Sequence, residues 1–111
     1  MEYNNISSLD ALDEALRNNR FSLVYFSHQQ CNVCKVLKPK VHDLVINNYP
    51  KIALFYVDTV KHPEISGQFS VFAVPTILVF LEDKEYIRES RYMNLSNFSG
   101  RIGKLYKAYF E

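Results

Sequence analysis

Ser27-His28-Gln29-Gln30-Cys31-Asn32-Val33-Cys34-Lys35 decides how this chain reads, because it holds both cysteines of the 111-residue sequence. The apolar run from Phe21 to Phe26 leads into it and a helix-like pattern follows. That order places Cys31 at a strand-to-helix corner, exposed at the N-terminal end of a helix. Cys34 then lies one turn further on along the same face. Helix N-termini carry unsatisfied N–H groups and about half a positive charge, so a thiolate is stabilised there. A thiol of lowered pKa beside a second thiol can attack a disulfide and then be released by its partner.

Working outward, the sequence predicts alternating helices and strands. Ser7 is placed to cap a first helix, with Asp10 in its first turn and Leu9, Leu12 and Leu16 as its apolar stripe. Asn18-Asn19 ends it. Residues 21–27 read as a strand buried on both faces, since the apolar run is nearly continuous rather than alternating. After the cysteines, Val33, Leu37, Val41, Leu44, Val45 and Tyr49 recur at helical spacing through Pro39, which is expected to kink the helix. Residues 52–58 read as a second buried strand, and 62–69 as a short helix with Pro63 in its first turn. Val74 to Leu81 reads as a third strand, Glu82-Asp83-Lys84 as a turn, and Glu85 to Arg91 as a half-exposed fourth strand. Ser96 is expected to cap a last helix through Tyr109, with Phe98, Ile102, Leu105 and Tyr109 on one face. Lys84, Arg88, Arg91, Arg101, Lys104 and Lys107 read as a solvated charged face.

The order points to one α/β domain over residues 1–111, three layers deep, with a mixed central sheet flanked by helices. A formal net charge of +1 gives no broad basic field, so neither nucleic acid nor an anionic membrane is an expected partner. The N-terminus lacks the basic region and apolar run of a secretory leader, and no apolar run is long enough to span a bilayer. A cytoplasmic location is therefore expected. In a reducing cytosol, two cysteines at this spacing read as catalytic or metal-binding rather than structural.

Four features together resemble the thioredoxin family over essentially the whole chain. A buried strand precedes Cys31-Asn32-Val33-Cys34, and Pro39 lies five positions beyond the second cysteine. A strand ends in Asp58, and Val74-Pro75-Thr76 opens the next. The resemblance implies a thiol–disulfide oxidoreductase in which Cys31 is the nucleophile and Cys34 the resolving thiol. It also implies a cis Val74–Pro75 bond packed against Cys31, with Val74 and Pro75 binding an extended substrate strand. Disulfide-containing proteins would be the substrates, and a flavin-containing reductase or a small thiol the electron donor. No dissociable cofactor and no resident metal are implied.

The chain also departs from the family pattern. Gln30 stands where a Trp is common, and Asn32-Val33 where Gly-Pro is common. Tyr25 replaces the buried aspartate six positions before the first cysteine, and Leu54 replaces its lysine partner. Resolution needs Cys34 deprotonated, and a tyrosine with an ordinary pKa near ~10 is a weak substitute for a buried acid. Slow reduction of general disulfides is therefore expected. His28 and Tyr25 are the groups placed to tune thiol pKa, His28 as an imidazolium or a proton shuttle. Two other readings stand beside catalysis. One is a binding or redox-sensing module with little turnover. The other is a metal or cluster site using Cys31, Cys34 and His28, completed by a second chain. An apolar, uncharged rim of Val33, Phe72, Val74 and Met93 is expected around the cysteines.

Overall fold

Alternate residues of one strand supply both hydrophobic cores. The computed structural model describes residues 3–110. It comprises β1 (Asn4–Asn5), α1 (Leu9–Asn18), β2 (Phe21–Ser27), α2 (Asn32–Asn48), β3 (Ala53–Asp58), α3 (Pro63–Gln68), β4 (Thr76–Leu81), β5 (Lys84–Ser90) and α4 (Leu95–Phe110). β2 is buried along its whole length. Because successive strand side chains point to opposite faces, Phe21, Leu23 and Tyr25 enter one core and Val24 and Phe26 the other. The first core also takes Cys34, Val41 and Val45 from α2 and Phe98 and Ile102 from α4. The second takes Leu12 and Leu16 from α1 and Ile65 from α3. Helices thus cover both faces of one sheet.

Sheet order is β1-β3-β2-β4-β5. β1, β3 and β2 are parallel, whereas β4 pairs antiparallel with both β2 and β5. The mixed sheet matches the expectation, and the element boundaries shift locally. β1 was not foreseen: its two asparagines are exposed and carry no apolar pattern, and backbone pairing with Phe55 and Tyr56 makes it a strand. Ser8, not Ser7, caps α1, its Oγ accepting the N–H of Ala11 at 3.0 Å. At α4 the cap is Asn94, which accepts the N–H of Asn97 at 3.0 Å, rather than Ser96. α2 runs through Pro39 without ending. Ladder pairing in β4 begins at Thr76, so Val74 and Pro75 form the approach to the strand rather than its first residues.

Arg88 does more than decorate a solvated face. It pairs with both carboxylate oxygens of Glu85, at 2.9 Å each. It also donates to the carbonyls of Phe69 and Ser70, at 2.8 and 3.1 Å. This ties β5 to the segment that leads from α3 to Pro75.

Candidate active site

Antiparallel pairing brings the two site segments together. Phe26 lies opposite Thr76, so the chain leaving β2 at Ser27 and the chain entering β4 from Val74-Pro75 meet at the same end of the sheet. The Val74–Pro75 peptide bond is cis. Val74 and Cys31 both pack against the α2-side core, and Pro75 is buried.

Between the strand and α2, residues 28–31 turn. The Cys31 N–H donates to the His28 carbonyl at 3.3 Å, and Cys31 itself is the N-cap of α2. Its Sγ accepts the N–H of Cys34 at 3.2 Å, the bond a capping side chain normally makes. Cys31 and Cys34 are joined as a disulfide, with Cα atoms 5.2 Å apart. The two sulfurs are unequal in access: Cys31 is partly exposed, while Cys34 is only 1% exposed. A thiolate at Cys31 would keep the Cys34 N–H as a donor and sit on the positive end of the helix.

Tyr25 lies beneath this helix start, fully buried on the α2 side of β2. Its hydroxyl donates to the Cys34 carbonyl at 2.9 Å. Burial first, and the neighbouring Tyr56 second, raise its phenol well above the usual tyrosine value. It therefore stays protonated and braces the backbone of Cys34. Leu54, where the family has a lysine, is part of the same apolar core. His28 faces the turn: its Nδ1 accepts the N–H of Gln30 at 3.2 Å. Among the described residues no group of three or more His, Cys, Asp or Glu is arranged to hold a metal ion. Nor, among them, is any helix long and apolar enough to cross a membrane.

The rim is apolar where it was expected to be. Val33 is 40% exposed and Phe72 is 88% exposed, with Val74 and Met93 half-buried. Beside it runs a groove of about 420 Å³ whose wall includes His28, Pro63, Phe72, Ala73 and Val74. The expectation of an uncharged surround needs correction, because a second cavity that reaches Cys34 has Lys35 and Lys38 in its wall. Sequence reasoning passed over Lys38, Tyr56 and Tyr3. Only the four-residue step from Cys34 to Lys38 pointed to the first, and nothing local pointed to the tyrosines.

Residues 5–99 match the thioredoxin family model. The chain belongs to the thioredoxin family. Over 108 residues it is 29% identical to the thioredoxin-like protein YdfQ of Bacillus subtilis, covering 97% of this chain and 96% of that one. Over 89 residues it is 29% identical to thioredoxin-2 of Pyricularia oryzae, covering 80% of this chain but 51% of that longer protein. Among solved structures, Fasciola hepatica thioredoxin superposes with a TM-score of 0.81 at 25% identity, covering 91% of this chain and 97% of its own. A thioredoxin fold with Cys31 and Cys34 at disulfide distance supports thiol–disulfide oxidoreductase activity.

Proposed function

We propose that the protein reduces or exchanges disulfides in protein substrates, with Cys31 attacking and Cys34 resolving. The observation that carries this reading is the asymmetry of the pair. Cys31 is reachable, caps α2 and receives an N–H, whereas Cys34 is buried and faces inward. In the reduced protein the Cys31 thiolate attacks one sulfur of a substrate disulfide, and the other leaves as a thiolate that takes up a proton. Cys34, once deprotonated, attacks the Cys31 sulfur of the mixed disulfide. The second substrate sulfur departs, the Cys31–Cys34 bond forms, and two electrons have passed to the substrate.

In this reading Val74 and Pro75 shape the substrate groove, and exposed Phe72 and Val33 offer apolar contact to a disordered or extended segment. A flavin-containing reductase or a small thiol returns the pair to the dithiol. A reducing, cytoplasmic setting suits a pair that must be restored after each turnover. Insulin reduction in dithiothreitol, followed by turbidity, tests the reading with the wild type, Cys31→Ser and Cys34→Ser. Turnover in the wild type and its loss in both variants is expected. A wild type no faster than dithiothreitol alone, yet holding a disulfide that titrates against glutathione, would favour the redox-sensing module instead.

A further inference from the structure

Resolution needs the buried Cys34 thiol to lose its proton, and Tyr25 is spoken for. Its hydroxyl is aimed at the Cys34 carbonyl, not at the sulfur. Cys34 also lines a cavity of about 130 Å³ whose wall includes Ser27, Lys35, Lys38 and Tyr56. That volume has room for a few water molecules, and its wall carries the donors and acceptors to hold them.

Lys38 follows Cys34 by four residues on α2, so both lie on one face of the helix. Its ammonium lies against aromatic rings. Nζ stands 3.7 Å from the Tyr56 ring centroid and 5.2 Å from that of Tyr3. A cation over aromatic faces is attracted by the negative face of each ring. The rings are held in turn. The Tyr56 and Ser27 hydroxyls share a hydrogen bond of 2.9 Å, and Tyr3 donates to the carbonyl of Lys38 itself at 2.9 Å. An ammonium is thereby positioned beside the cavity that Cys34 faces.

We propose that Lys38 is the positioning residue for resolution: its ring-held ammonium favours the Cys34 thiolate across this cavity, where relatives use a buried carboxylate. The proposal rests on the resolving role given to Cys34 above. The proton leaves Cys34 through cavity water to solvent, while Lys38 keeps its own protons. The thiolate then forms the bond to Cys31, and the substrate sulfur leaves with its electron pair. Other charged or titratable groups also face this region. Lys35 lies on the same helix, His28 and Tyr25 approach from the β2 side, and Asp58 from β3. The neighbouring cavity that Asp58 lines with Lys38 and Tyr56 also has Lys61 and His62 in its wall. Asp58 Oδ1 is engaged by the N–H groups of Val60 and Lys61, at 2.9 and 3.0 Å, so its charge is partly answered locally.

The test is the titration of Cys34 in the Cys31→Ser protein, followed by the ¹³Cβ shift of the labelled cysteine. Adding Lys38→Met should raise the Cys34 pKa by about one unit, the scale of a lost nearby opposite charge. Lys38→Arg should restore most of it. Near neutral pH the same loss means about tenfold less thiolate. Higher nucleophilicity per thiolate offsets part of this, so resolution in the two-cysteine protein should slow about threefold. Lys38→Gln stands in if the Met variant does not fold. An unchanged Cys34 pKa in both variants would overturn the proposal, as would an equal rise when Tyr25→Phe is made with Lys38 intact. Wild-type protein that fails to reduce insulin would overturn the catalytic reading and leave this titration still readable.

Discussion

Tyr25→Phe separates a bracing role from a proton-handling one. The substitution keeps the ring and its packing against Tyr3 and Tyr56, whose centroids lie 5.7 and 6.3 Å away. It removes one buried hydroxyl and the 2.9 Å bond to the Cys34 carbonyl. Loss of that bond costs about 1–1.5 kcal/mol. The small void left by the oxygen adds about 0.3 kcal/mol, taking roughly 12 Å³ at ~24 cal/mol per Å³. For a chain of this length, a loss of ~1.5 kcal/mol lowers Tm by roughly 5–10 °C. Urea unfolding of the oxidised protein should show the midpoint falling with an unchanged slope, which marks a change in stability rather than in surface exposed. The pH dependence of mixed-disulfide resolution should keep its midpoint. A midpoint that moves by a unit, or a stability loss under ~0.3 kcal/mol, would refute the bracing role.

Three further outcomes follow from the same geometry. Tyr3 and Tyr25 have phenols raised above the usual value, chiefly by burial. The unfolded chain ionises them near pH ~10 while the fold keeps them protonated, so their stabilisation is complete below that pH and is lost as pH rises beyond it. The stability gap between wild type and Tyr3→Phe/Tyr25→Phe should therefore shrink from pH 9 to 11, by up to roughly 2–3 kcal/mol, and a constant gap would contradict the assignment. Arg88→Ala removes the tie to the Phe69 and Ser70 carbonyls and should speed proteolytic cleavage between α3 and Pro75, with global stability falling by about 1 kcal/mol. Equal cleavage rates would show that β5 does not hold that segment. Insulin reduction should run more slowly than for a thioredoxin with the buried acid and lysine, and a matching rate would contradict that expectation.

Much of this architecture was written in local pattern. The unbroken apolar run of β2 marked a strand covered on both faces, and the structure shows Tyr25 and Val24 in the opposite cores that such a strand separates. Cys31 at the end of that run, followed by helical spacing, located the cap position that makes it the accessible sulfur. Val74-Pro75 was placed against Cys31 only by the family resemblance, and the antiparallel pairing of β4 with β2 is what brings the two segments to one end of the sheet. What was hidden depends on contacts distant in sequence. Asn4 and Asn5 have no strand signature, and only the exposed edge of β3 makes them one. Adjacent serines at 7 and 8 are equivalent caps by composition, and the path of the chain selects Ser8. Lys38 looks like any solvated helix lysine until Tyr56 of β3 and Tyr3, just ahead of β1, bring their rings to its ammonium. Replacement of the buried acid was legible at Tyr25, whereas the cation placed on the other side of Cys34 was not.

The division of labour between the two sulfurs is the centre of the account, and trapping measures it directly. Reduced Cys34→Ser and Cys31→Ser proteins are mixed with a disulfide substrate, quenched with acid, and the mixed disulfides mapped by mass spectrometry. The account predicts that Cys34→Ser accumulates substrate bonded through Cys31, and that Cys31→Ser accumulates little, because Cys34 is only 1% exposed in the disulfide-bonded fold. Equal adducts on both variants, or adducts chiefly through Cys34, would contradict it.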